Sequence, residues 1–384
     1  MLHSDILLEI AVIGGGIAGL LTAYYLTKFG VTVTLFEKSR GIPRRHCTGI
    51  VSHETLHNIP LAKKFVISKY SSMEIFIGTS LARIEITSPN SFAYRIDRTG
   101  HETALQDLLK CLGVEMKFLH NVLDVNRESY GWGLAIEHEN SIVKKSFKKI
   151  AVADGYPGRV SRKAGCSAVA IPLSAIQRDF TVMGLNTANS LYVYINPKLL
   201  GYGFAWLAPF NENDVTIGLA TSYKVSPIIY KHILRFFSKA LNLNVGNPLG
   251  DYYGGTILMG YPEKFLSKDF NVVCIGDSVS MIKSISGGGL YGIARYSYIL
   301  SKALLQGIVK NVDIASLSNE FKKQFRIKQF TWSKQSLYVV KKLLEVIAIA
   351  GHEIKIILTN AKHFDAHEKI WLDVIYSIMR GTMI

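Results

Sequence analysis

The sequence predicts an α/β protein in which one lobe is assembled from separated stretches of chain. An antiparallel β-sheet lobe is inserted between them, and a helical region ends the chain. Three observations predict this. Residues 9–37 read as strand, glycine turn, helix and strand. Residues 65–95 and 165–260 are dominated by strand patterns of alternating apolar and polar side chains. Residues 271–306 then return to strand, turn and helix.

Each element has a local reason. Glu9 to Ile13 is short, nearly continuously apolar and followed by glycine, as a buried strand should be. Ile17 to Phe29 reads as a helix that Gly30 stops, and Val31 to Phe36 as a second strand. Residues 40–60 hold Gly, Pro, His and Ser without periodicity and read mostly as loop. Met73 to Ile77 and Ala82 to Ile86 alternate and read as antiparallel strands. Leu105, Leu108, Leu109 and Leu112 place a helix over His101 to Leu112, ended by Gly113. Val114 to Val125 reads as one strand and Ile150 to Ala153 as another. A helix near Ile228 to Leu241 interrupts the later strands. Asn271 to Ile275 is a buried strand, Gly289 to Gln306 a helix, and the pattern from Leu317 onward is helical throughout.

The 384 residues exceed one average domain. The expected division gives 1–60, 95–160 and 265–310 to the first lobe and 61–94 and 161–264 to the β lobe, with 311–384 as the helical region. With 48% apolar and 19% charged residues, the chain has material for a core and no signature of disorder. A formal charge of +15 favours anionic partners. No motif for nucleic acid accompanies it, so none is expected. Cys47, Cys111, Cys166 and Cys274 form no C-x-x-C pair. That argues against a zinc site or redox disulfide and for a reduced, cytosolic compartment. Ile10 to Thr27 is uncharged but holds four glycines, which argues against a membrane span. The N-terminus lacks the basic start of a signal peptide.

The chemistry begins at Gly14-Gly15-Gly16-Ile17-Ala18-Gly19, between a strand and a helix. Gly14 permits the tight turn, Gly16 the approach of a pyrophosphate, and Gly19 close helix–strand packing. The amides of the first helical turn and the helix dipole favour phosphate there. Glu37 ends the second strand, about 20 residues on, where an acid can bind ribose hydroxyls. This is a Rossmann-like dinucleotide site for FAD or NAD. Later segments favour FAD. Gly276-Asp277 ends a strand, and Ser286 to Tyr291 is a glycine-rich turn opening a helix. Asp277 suits ribityl hydroxyls, and the helix start near Gly289 suits a reduced, anionic flavin edge. Arg98 is a candidate pyrophosphate clamp, although alone it would read as a solvated loop arginine. Ala153-Asp154-Gly155 is a further strand-end turn.

In this order these motifs resemble FAD proteins of the p-hydroxybenzoate hydroxylase-like superfamily. Within it the chain is most similar to the geranylgeranyl reductase family, which includes archaeal digeranylgeranylglycerophospholipid reductases. Arg45 to Ser52, with Cys47 and Gly49, resembles that family's cysteine–glycine loop beside the flavin. Phe204-Ala-Trp206-Leu-Ala-Pro209 resembles its Y-x-W-x-F-P segment along the prenyl cavity, with Phe204 or Tyr202 in the first aromatic position and Ala208 in place of Phe. The resemblance implies an FAD site of Gly14, Gly16, Ile17, Ala18, Gly19, Glu37, Lys38, Arg45, Cys47, Thr48, Gly49, Arg98, Val122, Ala153, Asp154, Gly155, Gly276, Asp277, Gly287, Gly288, Gly289 and Leu290. It implies a substrate wall of Tyr202, Phe204, Trp206 and Pro209.

The activity it implies is saturation of isoprenoid C=C bonds in a lipid or prenyl quinone, with NADPH or ferredoxin as electron donor. Cys47 and His46 are the candidate catalytic residues, with a flavin-bound water as an equal candidate for proton donor. An aromatic or quinone monooxygenase on the same scaffold and a non-catalytic lipid-binding flavoprotein are the alternatives. The basic and aromatic residues Lys328, Phe330, Trp332, Lys341 and Lys342 fit peripheral membrane contact, or more simply a helical cap. Val346 to Ala350 is too short to span a bilayer.

Overall fold

The computed structural model describes residues 9–43, 45–78, 83–306 and 314–331, with 338–339, 341–342, 345, 354–357, 364 and 370 beyond them. Strand β1 (Glu9–Ile13), helix α1 (Ile17–Lys28) and β2 (Thr32–Glu37) open the chain. Then come β3 (Ile50–Ser52), α2 (His53–Asn58), β4 (Val66–Tyr70), β5 (Ser72–Ile77), β6 (Arg83–Thr87), β7 (Ala93–Ile96) and α3 (Arg98–Cys111). β8 (Glu115–Phe118), β9 (Asn121–Glu128), β10 (Gly131–His138), β11 (Ser141–Phe147) and β12 (Lys149–Val152) precede α4 (Arg159–Lys163). The middle holds β13 (Ser167–Met183), β14 (Ser190–Ile195), α5 (Pro197–Leu200), β15 (Phe204–Pro209), β16 (Asp214–Thr221), α6 (Pro227–Ala240), β17 (Asn244–Pro248) and β18 (Tyr253–Lys264). β19 (Val272–Cys274), α7 (Gly289–Gln306), α8 (Ile314–Thr331) and β20 (Ile354–Ile357) follow.

Two large sheets organise these elements. The first is parallel, in the order β19-β12-β1-β2-β8. Its central strand β1 is almost wholly apolar because both faces are covered, and Ile10, Ala11 and Val12 are fully buried. The second sheet has nine strands in the order β17-β13-β16-β15-β14-β5-β6-β20, with β18 paired to β13. The long strand β13 pairs with β16, β17 and β18, so it is the spine of this sheet. The chain is mixed α/β with a Rossmann-like parallel sheet and added antiparallel sheets, as the motif order predicts.

Helix α6 shows how composition sets an element. Pro227 starts it, the Ser226 hydroxyl accepts from the Ile229 amide at 3.3 Å, and Tyr230, Ile233 and Phe237 form one buried stripe. Helix α8 is anchored differently. The Glu320 carboxylate accepts from the Tyr291 hydroxyl at 2.7 Å and from the Tyr296 hydroxyl, both on α7. Burial, together with the neighbouring Glu320 charge, pushes both phenols well above their ordinary pKa.

Four sequence expectations need correction. Residues 50–58 form a strand and a short helix rather than loop, each too short to show a period; the Ser52 hydroxyl caps the helix by accepting from the Thr55 amide. Val114 to Val125 is two strands, because the chain turns at Leu119 (φ 59°) and passes from the parallel sheet to the β9–β10 ladder. The C-terminal region is not helical throughout: β20 adds to β6 in parallel. Cys166 and Cys274 are joined in a disulfide across 108 residues, with both side chains buried. Local spacing cannot reveal a pair that only the fold brings together, and the inference of a reduced compartment loses its support. Ala82, Trp332 and Val346 to Ala350 lie outside the described residues.

The Glu320 anchor generates a prediction. Glu320→Ala leaves two buried phenols without an acceptor and should destabilise the protein by about 2–4 kcal/mol in urea unfolding. A loss too small to measure would show that α8 is held by other contacts.

Candidate active site

The first glycine turn is shaped by close approaches. Gly14 has φ +105°, and a Cβ there would stand 2.2 Å from the Ala153 carbonyl oxygen. A Cβ on Gly19 would stand 1.8 Å from the Gly14 carbonyl oxygen. Gly16 is different: nothing lies within 4 Å of its added Cβ. The chain thus packs Gly14 and Gly19 tightly and leaves Gly16 open at the start of α1, where no side chain caps the helix. Ile17, Ala18 and Gly19 form its first turn. That is an anion cradle of main-chain amides.

Glu37 is held beside the turn. Its carboxylate accepts from the Gly15 amide at 2.6 Å and the Ser39 amide at 2.8 Å, and its remaining lone pairs can accept ribose hydroxyls. Lys38 next to it is exposed. Val122 is buried on β9, close in sequence to His120, whose amide donates to the Glu37 carbonyl. Asp154 follows β12. One of its oxygens accepts from the Val160 amide at 2.8 Å, while the other is buried without a partner. Burial raises its pKa. Gly155 beside it has φ +66° and open space at its Cβ position. An orphaned buried acceptor and an open glycine fit a polar ligand there.

A second group forms where three distant segments meet. Asp277 is partly buried; desolvation raises its pKa, while the charges of His46 and Arg98 oppose the rise. A Cβ on Gly289 would stand 3.5 Å from an Asp277 carboxylate oxygen, so this acid lies at the start of α7. Arg98 is not a solvated loop residue: it is buried and donates from Nε to Glu102 at 2.9 Å. Burial opposes its charge, but Glu102 and the Cys47 side chain restore it. The Gly49 carbonyl accepts from the Ile96 amide at 2.9 Å, and the Cys47 sulfur accepts from the Gly49 amide at 3.4 Å. The cysteine loop, Arg98 and Gly276-Asp277 are therefore one cluster.

This loop is fastened to the large sheet by a buried polar network that the sequence does not announce. Arg45 donates to Asp179 at 2.6 Å and stacks 4.3 Å over the Tyr253 ring. The other Asp179 oxygen accepts from Thr216 at 2.5 Å and from Tyr253 at 2.9 Å. Thr48 donates to Gln177 at 2.5 Å, and Arg95, itself fully buried, donates to Thr216 at 2.8 Å. The one hint in the sequence is a pair of charges, Arg178 and Asp179, inside an otherwise strand-like run.

The aromatic wall stands next to the second glycine turn. Phe204 and Trp206 alternate along β15, so they share a face, with ring centres 5.6 Å apart. Gly218 on β16 makes room for the indole: a Cβ there would meet it at 2.4 Å. A Cβ on Gly287 would lie 3.9 Å from the Phe204 ring and 3.5 Å from Ile257. Gly288 is beside the Ser286 hydroxyl, and Leu290 is buried in the first turn of α7. Tyr202 and Trp206 pack on the same apolar layer as Ile285 and Ile327. Pro209 is buried at the strand end, and its carbonyl accepts from the Tyr70 hydroxyl. Ala208, where an aromatic was expected, is fully buried in the core.

The chain is similar in sequence and fold to several known proteins. Residues 9–106 match the family model described as FAD dependent oxidoreductase. Digeranylgeranylglycerophospholipid reductase 1 of Methanococcoides burtonii is 24% identical over 83% of this chain and 79% of its own length. Digeranylgeranylglycerophospholipid reductase of Methanocaldococcus jannaschii is 23% identical over 88% of this chain and 86% of its own. Among solved structures, a geranylgeranyl bacteriochlorophyll reductase-like protein from Thermoplasma acidophilum superposes with a TM-score of 0.70 at 18% identity, covering 88% of this chain and 91% of that one. The flavin-dependent brominase Bmp2 superposes with a TM-score of 0.64 at 16% identity, covering 88% and 92%. The chain is an FAD-dependent oxidoreductase. Within that class it resembles the reductases of digeranylgeranyl lipids in sequence, and its cofactor is FAD.

Two predictions follow from the packing. Gly14→Ala should lower the melting temperature of the cofactor-free protein, whereas Gly16→Val should leave it unchanged and weaken FAD binding at least about tenfold, read by flavin fluorescence titration. Equal FAD affinity in Gly16→Val would remove Gly16 from the site. Asp179→Ala removes the carboxylate that stands 4.0 Å from the buried Arg95 guanidinium, and should cost about 3 kcal/mol in urea unfolding. Arg45→Ala, at a half-exposed pair, should cost less than about 1 kcal/mol.

Proposed function

We propose that this protein saturates C=C bonds in the isoprenoid chains of a lipid or prenyl quinone. One observation carries the reading: the glycine-rich turn at Ser286 to Gly289, beside Asp277, abuts the aromatic wall of Phe204 and Trp206. A redox cofactor edge and an apolar lining then share one space. Two relatives are named as digeranylgeranylglycerophospholipid reductases, which supports a redox reaction on an isoprenoid lipid.

Reduced FAD supplies hydride when bound. The rest of the work falls to the chain. Gly16 and the amides of the first turn of α1 would receive the pyrophosphate, and Glu37 the ribose. Asp277 and the α7 start would hold the ribityl and flavin edge, with Arg98 and the Cys47 loop closing the other side. An isolated alkene offers no carbonyl on which charge can gather. Phe204, Trp206 and Tyr202 must therefore orient it and exclude water. Asp179 and Gln177 act through the loop, holding Arg45 and Thr48 in place. Among the described residues no helix is long and apolar enough to cross a membrane. A lipid substrate would be met at a membrane surface, where a +15 chain favours anionic headgroups.

The test is anaerobic and bypasses the natural electron donor, NADPH or ferredoxin. Dithionite reduces the flavin, and geranylgeranyl lipid or prenyl quinone is added. The expected result is flavin reoxidation with a product heavier by pairs of hydrogens. No reoxidation by any prenyl substrate overturns the reading. A hydroxylated product formed only with oxygen would make the protein a monooxygenase instead, and tight lipid binding without turnover would make it a lipid-binding flavoprotein.

A further inference from the structure

Saturating an alkene consumes a proton as well as a hydride, so an acid has to stand beside the apolar wall. Cys47 and His46 are engaged with Arg98 and Asp277. Helix α8 brings a different group to the wall. Lys328 is fully buried. Its Nζ donates to the Ile285 carbonyl at 3.4 Å and lies 5.3 Å from the centre of the Phe204 ring. Ile285 immediately precedes the glycine-rich turn, and Phe204 neighbours Gly287 within it.

The helix is firmly placed. Glu320 ties it to α7, Ser318 donates to the Pro262 carbonyl at 2.5 Å, and Phe325 packs edge-on against Tyr261 on β18, ring centres 5.7 Å apart. Gln324, one turn before Lys328 and also buried, has a side-chain oxygen with no hydrogen-bond partner, and the Trp206 indole N–H likewise has none. Buried polar atoms are rarely left so. The layer between α8 and the sheet thus combines an apolar wall, an ammonium group and two unsatisfied polar atoms.

We infer that Lys328 is the proton donor of the reaction, delivering a proton from Nζ to the substrate alkene at the Phe204 side of the wall. This role rests on the isoprenoid-saturation reading above. One alkene carbon takes the hydride that leaves the reduced cofactor, and the other takes the proton from the Lys328 ammonium. The π bond is replaced by two C–H bonds, the substrate is reduced, and the cofactor is left oxidised. The neutral amine regains its proton from water. Burial lowers the Lys328 pKa to about 7, which makes the ammonium a far better acid than a surface lysine. The charged and titratable groups that the packed elements bring to this layer include Lys283 before the turn, Tyr291, Arg295 and Tyr296 on α7, Glu320 and Lys322 on α8, and Tyr261 on β18. As pH rises through about 7 the acid form is lost, so the proton-dependent step slows.

The test compares wild type, Lys328→Met and Lys328→Arg as FAD-loaded proteins, reduced anaerobically and mixed with geranylgeranyl lipid. Lys328→Met should reoxidise at least about 100-fold more slowly, with unchanged FAD affinity and flavin spectrum. Lys328→Arg should not restore the rate, because a guanidinium does not release its proton. Independently of activity, NMR of the oxidised holoprotein with lysine labelled at Cε should show a resonance, absent from Lys328→Met, that titrates near pH 7. A Lys328→Met rate within a few-fold of wild type, or titration near the ordinary value of about 10.4, overturns the assignment. If wild type reduces no prenyl substrate, the functional reading and this role fall together. If wild type turns over and Lys328→Met does so equally well, this role alone falls.

Discussion

The Asp179 carboxylate is buried where the cysteine loop meets the large sheet, and it accepts from Arg45, Thr216 and Tyr253. Those donors come from the loop and from two strands flanking β13. A buried carboxylate is tolerated only with such partners, and once satisfied it fixes their relative positions. This joint matters because the site has two halves. The glycine turns and acids belong to the parallel sheet and its returns. The aromatic wall belongs to β15 of the other sheet. The Asp179 network ties the two together, and Gly287 lies close to Phe204 where they meet.

Much of the first half was legible in the sequence. A glycine turn between strand and helix has a fixed spacing, and each glycine answers a local steric demand: Gly14 and Gly19 at close approaches, Gly16 at an opening. The α7 boundaries were legible for the same reason, since a glycine-rich turn and a long apolar period bracket that helix. What was lost depended on long-range pairing. β20 is four residues whose strand state comes from β6. The Cys166–Cys274 link is made by partners far apart in the chain. The break at Leu119 follows from β8 and β9 serving different sheets.

The site residues divide in the same way. Gly276-Asp277, the Cys47 loop and Arg98 were recognisable as motifs, but not that Arg98 would be buried against Glu102 beside Cys47. Asp179, Gln177, Thr216 and Tyr253 were missed because a polar side chain inside a strand looks solvent-facing until the neighbouring sheet is known. Lys328 was read as one of several basic residues on a C-terminal cap. Its burial depends on Glu320 holding α8 to α7, a tertiary bond with no local signature. In both cases a charged residue gains its meaning from what covers it.

The central claim is that the redox cofactor and an isoprenoid chain share the space between the second glycine turn and β15. The most direct measurement is a crystal structure of the FAD-loaded protein with a bound geranylgeranyl lipid. The account predicts the flavin ring beside Ser286 to Gly289 and the Cys47 loop, with an alkene of the lipid lying between that ring and the side chains of Phe204 and Trp206. A lipid chain bound away from β15, or a flavin ring separated from that wall by the protein, would contradict it.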